Sequence, residues 1–345
     1  MHLLFLASGS GGHVYPCLSL IKKALPKHKI TYLTIKNGFE EKVIDNLKNV
    51  NILSIDVPNQ LKKYLKNPSN FFKLKKALKN INNDLKNIDA IITFGGFVTF
   101  IGLLISLKLR KPLYIHEQNS VIGDANMLGQ FFAKKVFTSM ENTKHVLFPK
   151  KTYNFGNPRM DEINYLHYHY QNDKSYNVLF FAGSLSSSSL NKMIEEVIKK
   201  EMNNNIHLFV ISGNKNYETL KKFENKHITI IKYEKNMIEL MQKMDFIIMR
   251  AGATSISEII SLNKLSLLIP SPNVKHNHQY LNAKYLFDKK AAFMIEEKDV
   301  NSDEIIMLIE EVKNNLELQI EMKNNLNKLK KGNASKNILL AIENG

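Results

Sequence analysis

The chain has 345 residues, enough for two domains that each close an apolar core, which excludes a single small disulfide-stapled domain. Apolar residues make up 44% and charged residues 23%, the proportions of a globular rather than a disordered protein, and a net charge of +16 favours anionic partners: nucleic acid, phosphorylated small molecules or an acidic membrane face. That charge is almost all Lys, with Arg only at Arg110, Arg159 and Arg250, and it is spread through both halves, which argues against a nucleic-acid surface. Cys17 is the sole cysteine, so neither an internal disulfide nor a cysteine-based zinc site can form.

The run Met1 to Ala7 is apolar, lacks a basic leader and passes straight into a glycine loop, unlike a cleaved signal peptide, so the chain is expected to stay inside the cell. Apolar β-type runs then alternate with helical periodicity: Leu3 to Ala7, Ile30 to Ile35, Ala90 to Phe94 and Leu113 to His116. Val178 to Ala182, His207 to Ser212, Ile228 to Ile231, Phe246 to Met249 and Leu265 to Ile269 repeat the theme. Such alternation predicts βαβ units and two doubly wound α/β domains with parallel sheets. The longest apolar stretch, Phe97 to Leu107, falls short of the ~20 residues that span a bilayer, so any membrane contact is expected to be peripheral. The polar stretch Gly156 to Lys174 lacks periodicity and reads as the linker, giving domains at 1–157 and 158–332. Asp303 to Asn344 reads as two helices broken near Gly332, with the last, about 333–345, expected to pack back on the first domain.

In open parallel sheets ligands bind beyond the carboxyl ends of the strands, so the loops there carry the chemistry. Ser8-Gly-Ser-Gly-Gly-His13 precedes a helix expected from Val14 or Tyr15, and glycines ahead of a helix N-terminus suit an anion. The spacing is not a dinucleotide fingerprint, because Val14 stands where the third glycine belongs, and no Gly-Lys-Ser/Thr follows to make a P-loop. His13 at the tip of the loop is a candidate proton acceptor, with a surface or capping histidine as the alternative. Thr93-Phe-Gly-Gly-Phe97 and His116-Glu-Gln-Asn119 end two more strands. The four polar residues are expected to face a ligand, unless they form a loop held by side-chain hydrogen bonds. Arg250-Ala-Gly-Ala-Thr-Ser-Ile-Ser-Glu258 again runs from strand through Gly252 into helix, where its amides could receive a phosphate and Glu258 could grip sugar hydroxyls. His276 and His278 lie before a helix expected at Tyr280, with no carboxylate close by in sequence, a poor metal site.

Together with Gly-Asn-Pro158, Gly183-Ser184 and His278-Gln279, these motifs stand in the order found in the MurG family, which the chain resembles over nearly its whole length. That family comprises the UDP-N-acetylglucosamine:undecaprenyl-pyrophosphoryl-muramoyl-pentapeptide N-acetylglucosaminyltransferases. The resemblance implies a GT-B fold, two Rossmann-like doubly wound domains facing across a cleft, the first for the lipid-linked acceptor and the second for the nucleotide sugar. It implies inverting transfer of GlcNAc from UDP-GlcNAc to the muramoyl C4 hydroxyl of lipid I, giving lipid II in peptidoglycan synthesis. No cofactor beyond the donor and no protein-bound metal are implied, and no Asp-x-Asp motif is present.

Carried over by position, Ser184 and Ala253, Thr254, Ser255, Ile256 and Ser257 should hold the donor diphosphate, and Glu258 the ribose. Gln279 and Asn119 should meet the GlcNAc hydroxyls, and the uracil should lie near Tyr233 to Met237, Glu234 included. Ser10, Gly11 and Gly12 should lie near the diphosphates, with His13 as the base or as an acceptor-positioning group. Arg159 stands one place earlier than the arginine of the family's Gly-Asn-Pro-x-Arg, Ser8 replaces a glycine, and Leu185-Ser186 replaces Gln-Gly. A polyprenyl acceptor implies peripheral attachment to the cytoplasmic face of the membrane. Phe71-Phe-Lys-Leu-Lys-Lys-Ala-Leu78 with Lys79 combines apolar residues with a basic flank, as an interfacial helix should, an ordinary lysine-coated helix being the alternative. Glycosyltransferases acting on diacylglycerol share the fold and part of the donor loop, but His-Glu-Gln-Asn119 argues against them. A non-catalytic nucleotide-sugar binder is the remaining alternative.

Overall fold

The computed structural model describes residues 1–38, 40–44, 47–58, 63, 66–164, 175–181, 188–200 and 203–345. The chain divides into two compact units, one of Met1–Glu162 with Lys331–Gly345, the other of Ile163–Lys330.

In the first unit, β1 (His2–Leu6), β2 (Lys29–Ile35), β3 (Val50–Ile55), β4 (Ala90–Thr93), β5 (Leu113–Glu117), β6 (Lys135–Thr138) and β7 (Thr152–Asn154) form one sheet in the order β3-β2-β1-β4-β5-β6-β7, every pair parallel. A parallel sheet between helical layers buries both faces, which is why β1 reads as an unbroken apolar run. Leu3 and Phe5 point to one layer, with residues of the Gly11–Ala24 and Ala334–Glu343 helices. Leu4 and Leu6 point to the other, with residues of the Ser69–Asn80 and Phe97–Leu109 helices. Each such wholly buried Leu or Phe contributes about 1.5–3 kcal/mol of transfer free energy.

The second unit repeats the plan with β8 (Tyr176–Phe181), β9 (Ile206–Ile211), β10 (Ile228–Ile231), β11 (Phe246–Met249), β12 (Leu265–Leu268) and β13 (Phe293–Met294), ordered β10-β9-β8-β11-β12-β13 and again all parallel. Both units are therefore Rossmann-like. In each, the chain reverses its winding direction between the first strand and the fourth, at β1/β4 and β8/β11, and loops at that switch point are the natural ligand sites.

Several expected boundaries change. The first helix starts at Gly11, not Val14, because Ser10 is its N-cap and the second half of the glycine loop is its first turn. The stretch read as linker opens with a helix, Pro158–Asn164, whose proline occupies the first turn where a missing N–H is harmless; residues 165–174 lie outside the described ones. The C-terminal segment holds three helices, Ser302–Asn314, Leu316–Leu329 and Ala334–Glu343. Asn315 makes the extra break, its side chain accepting the Leu318 N–H at 3.0 Å as an N-cap.

Candidate active site

In the first unit Leu6 pairs with Thr93, so the loops after β1 and β4 emerge side by side. The N–H groups of His13 and Val14 both donate to the Ser10 carbonyl, each at 3.1 Å, fixing the start of the helix. His13 Nδ1 lies 3.1 Å from the Ser8 carbonyl oxygen. A carbonyl only accepts, so Nδ1 carries a proton, and in the neutral ring the lone pair is on Nε2. The ring sits against Gly95 and Gly96: a Cβ on Gly95 would lie 3.1 Å from Nε2, and one on Gly96 3.6 Å from Nδ1. Both glycines have positive φ, +89° and +72°, where any side chain would be strained. The glycine pair thus makes room for the imidazole.

Glu40, wholly buried, braces the same loop. Its carboxylate accepts the Gly9 N–H at 3.3 Å and the Thr34 hydroxyl at 3.1 Å. Gly38 leaves the space, since a Cβ there would fall 2.5 Å from Glu40 Cδ. Sequence reasoning passed over Glu40, because nothing local distinguishes it from Glu41 beside it.

The polar run at the end of β5 does not face outward as a group, which corrects the expectation that all four side chains point to a ligand. His116, Glu117 and Gln118 are at most 2% exposed. Buried polar side chains persist where they are bonded, and this cluster bonds to itself and its loop. Glu117 Oε1 accepts the Asn119 backbone N–H at 3.1 Å and its side-chain amide at 2.9 Å. Oε2 accepts the Gly123 N–H at 3.0 Å and the Asn126 amide at 2.8 Å. Asn119 itself is half-buried, held at the edge of the cluster by Glu117.

His116 Nε2 donates to the Gly156 carbonyl at 3.1 Å, and its Nδ1 accepts from the Gln118 amide at 2.9 Å. Burial pushes the imidazole pKa down to about 4, offset only in part by the Gly156 bond. In the unfolded chain the same ring takes its proton near pH 6.5. Between those values the unfolded state binds more protons, so this stability is complete above pH ~6.5 and falls as the pH drops toward 4, by roughly 3 kcal/mol in all. Urea unfolding at pH 7 and pH 4.5 checks it: the wild type should lose more stability than His116→Gln over that interval, and equal losses would contradict the assignment.

Arg159 is committed within the first unit. Its Nη1 donates to Glu162 at 2.7 Å and its guanidinium lies 5.2 Å over the Tyr15 ring. Glu162 also accepts the Ser19 hydroxyl at 2.6 Å and pairs with Lys22. Burial would raise the Glu162 carboxyl, but Arg159, Lys22 and Ser19 outweigh it and hold it below the ordinary carboxylate range.

In the second unit β8 ends at Phe181, paired with Met249 of β11. Ser184, three residues on, lies outside the described residues, as do Leu185 and Ser186. After β11, the buried Arg250 donates from Nη1 to the Ile269 carbonyl at 3.2 Å and pairs through Nη2 with Glu297 at 2.8 Å. Asn282 donates to the Ala251 carbonyl at 3.2 Å, pinning the turn that leads to Gly252, N-cap of the Ala253–Leu262 helix. That helix has no acidic residue in its first turn and no side-chain cap, so its amide end and positive dipole suit an anion. Ala253, Thr254, Ile256, Ser257 and Glu258 are buried, Ser255 only partly. The Ser257 hydroxyl donates to the Ala253 carbonyl at 3.0 Å, so it serves the helix itself. Gln279 accepts the Ser271 N–H at 2.9 Å, and Glu234 accepts the Asn236 N–H at 2.6 Å.

Among the described residues, no group of three or more His, Cys, Asp or Glu is placed to hold a metal ion, and no helix is long and apolar enough to cross a membrane.

Residues 3–138 match the Glycosyltransferase family 28 N-terminal domain, and residues 177–338 the Glycosyltransferase family 28 C-terminal domain. The UDP-N-acetylglucosamine–N-acetylmuramyl-(pentapeptide) pyrophosphoryl-undecaprenol N-acetylglucosamine transferase of Pediococcus pentosaceus is 31% identical over 98% of both chains. The protein of the same name from Bacillus cytotoxicus is 30% identical over 94% of this chain and 93% of its own. The crystal structure of Acinetobacter baumannii MurG matches with a TM-score of 0.79 at 25% identity, over 100% of this chain and 99% of that one.

Proposed function

The chain belongs to the MurG family within glycosyltransferase family 28, and from that premise we propose that it transfers GlcNAc from UDP-GlcNAc to the muramoyl C4 hydroxyl of undecaprenyl-pyrophosphoryl-MurNAc-pentapeptide, with inversion. The observation that carries this reading is His13, whose Nδ1 bond to Ser8 leaves Nε2 as a proton acceptor at the head of a helix in the unit with the glycine loop.

The chemistry is a single displacement. Nε2 of His13 takes the proton of the attacking hydroxyl as its oxygen bonds to the anomeric carbon, and the bonding pair of the departing C–O bond leaves on the diphosphate of UDP. Negative charge growing there is met by the amides that open the Ala253–Leu262 helix, a preorganised donor set in place of a chelated metal. The Ile256 N–H donates to the Gly252 carbonyl at 2.9 Å and the Ser257 hydroxyl to the Ala253 carbonyl, so these two residues build the first turn that presents the amides ahead of them. Ser184 joins the diphosphate contacts, Glu258 takes the ribose, the Glu234 loop the uracil, and Gln279 and Asn119 the sugar hydroxyls. Ser10, Gly11 and Gly12 receive the acceptor's pyrophosphate, with Arg159 stiffening the same unit through Tyr15 and Glu162.

The enzyme works at the cytoplasmic face of an anionic membrane, as a peripheral protein with no nucleic-acid partner and no cofactor beyond its donor. The Ser69–Asn80 helix supports this, with Phe71 42% and Phe72 75% exposed among Lys73, Lys75 and Lys76. Changing Phe71 and Phe72 to Ser should weaken liposome binding; unchanged binding would remove that helix from the contact. The transfer itself is tested by NMR of the product made from UDP-GlcNAc and a lipid I analogue. A β-linked GlcNAc on the muramoyl C4 oxygen is expected, and an α-linked product would rule out single displacement.

A further inference from the structure

The short helix Asp124–Gly129 is amphipathic with its apolar side outward. The Phe131 and Phe132 N–H groups donate to the Leu128 and Gly129 carbonyls at 3.3 and 3.0 Å, so helical spacing continues past Gly129. Leu128, Phe131 and Phe132 therefore share one face at i, i+3 and i+4. That face is open to solvent, 45%, 59% and 49% exposed.

The inward face is Asn126, Gly129 and Gln130, each buried. Asn126 is held by Thr99 at 3.0 Å and by Glu117. Gln130 donates to the His145 carbonyl at 3.1 Å and accepts the Leu147 N–H at 3.0 Å. A Cβ on Gly129 would collide with Ile115 Cδ1. With its polar side locked inward, the segment cannot roll its phenylalanines into the core.

The Gln130 bonds also bring residues 145–148 alongside. Leu147 is 45% exposed, and the Phe148 ring meets Phe131 edge to face at 5.3 Å. Lysines accompany this apolar surface: Lys151 Nζ lies 4.4 Å over Phe148 while donating to the Ala133 carbonyl at 2.8 Å, and Lys134, Lys144 and Lys150, near its residues in sequence, are exposed. The acids between residues 118 and 151 are Asp124, exposed at the start of the helix, and Glu141, paired with Lys331 at 2.9 Å. An apolar tip accompanied by lysines complements the anionic headgroups and acyl boundary of a bilayer, where buried apolar area and lysine attraction act together.

We infer that Leu128, Phe131 and Phe132, with Leu147 and Phe148, form a bilayer-insertion face separate in sequence from the Ser69–Asn80 helix. The inference deepens the polyprenyl-lipid reading of the acceptor and rests on it. Because the chain contains no tryptophan, Phe132→Trp installs a single indole reporter. Its emission should shift to the blue on adding phosphatidylglycerol vesicles and be quenched by brominated acyl chains. The variant Leu128→Ser/Phe131→Ser/Phe132→Ser should bind those vesicles about 30-fold more weakly, while transferring GlcNAc to a short-chain, water-soluble acceptor at the wild-type rate. An unshifted indole on vesicle-bound protein, or unaltered binding by the triple variant, overturns the inference. So does a wild-type dimer that the triple variant abolishes, which would make the face a contact between copies. Failure of the wild type to use the soluble acceptor would instead strike the proposed function, and the indole would still report on the membrane.

Discussion

His13→Ala is expected to lower the rate of GlcNAc transfer about 10²- to 10⁴-fold, the range a positioned general base contributes. The affinity for UDP-GlcNAc should stay near that of the parent, because the donor contacts proposed around Ala253–Leu262 belong to the other unit. The loss should appear in kcat. Gly95→Ala offers a companion: a Cβ at that backbone, with φ +89°, would lie 3.1 Å from Nε2 and must displace either the ring or the loop. It should reproduce much of the His13→Ala loss with the histidine still present. Steady-state kinetics on both variants checks this, and a His13→Ala enzyme within a few-fold of wild type would remove His13 from the role of base.

Glu117→Ala should be the most destabilising of the substitutions considered, by about 3–5 kcal/mol, because it strands four donors around a buried site. The carboxylate takes two bonds from Asn119, one from Gly123 and one from Asn126. Asn126 in turn reaches Thr99, so the loss spreads to the Phe97–Leu109 helix. Glu117→Gln keeps the volume but turns two acceptor sites into donors, facing N–H groups that need an acceptor, and should recover only part of the loss. Urea unfolding at pH 7 measures both. A Glu117→Ala protein within 1 kcal/mol of wild type would show that water replaces the carboxylate at that site. Where the alanine variant still folds, its KM for UDP-GlcNAc should rise, since Asn119 loses the side chain that aims it.

Much of this fold is legible in the residues because β1, β4, β5, β8, β11 and β12 are buried on both faces and so read as continuous apolar runs. β3 escapes that reading: it is a half-exposed edge strand with Asn51 and Ser54 among its residues. β6 has four residues beginning with Lys135, and β13 only two, too few for a period to register. Helix ends were hidden by caps, Ser10 and Asn315, whose roles depend on backbone geometry rather than residue type alone. At the site, His13 is conspicuous at the tip of a glycine loop, whereas Glu40 looks like any surface acid until the sheet folds it under Gly9. The run His116 to Asn119 misleads, because four polar residues after an apolar strand suggest solvent or ligand. In the structure one carboxylate gathers the loop's donors, and the cluster closes on itself. Phe131 and Phe132 carry no sequence signal of their place, because their outward direction is set by the polar bonds of Asn126 and Gln130.

The most direct test of the central claim is transfer of radiolabelled GlcNAc from UDP-GlcNAc with a lipid I analogue and diacylglycerol offered in parallel. Label on the lipid I analogue alone, abolished in His13→Ala and Glu258→Ala, is the predicted result. Label on diacylglycerol would contradict the claim and assign the chain to glycolipid synthesis, and binding of UDP-GlcNAc without transfer to either acceptor would contradict it as well.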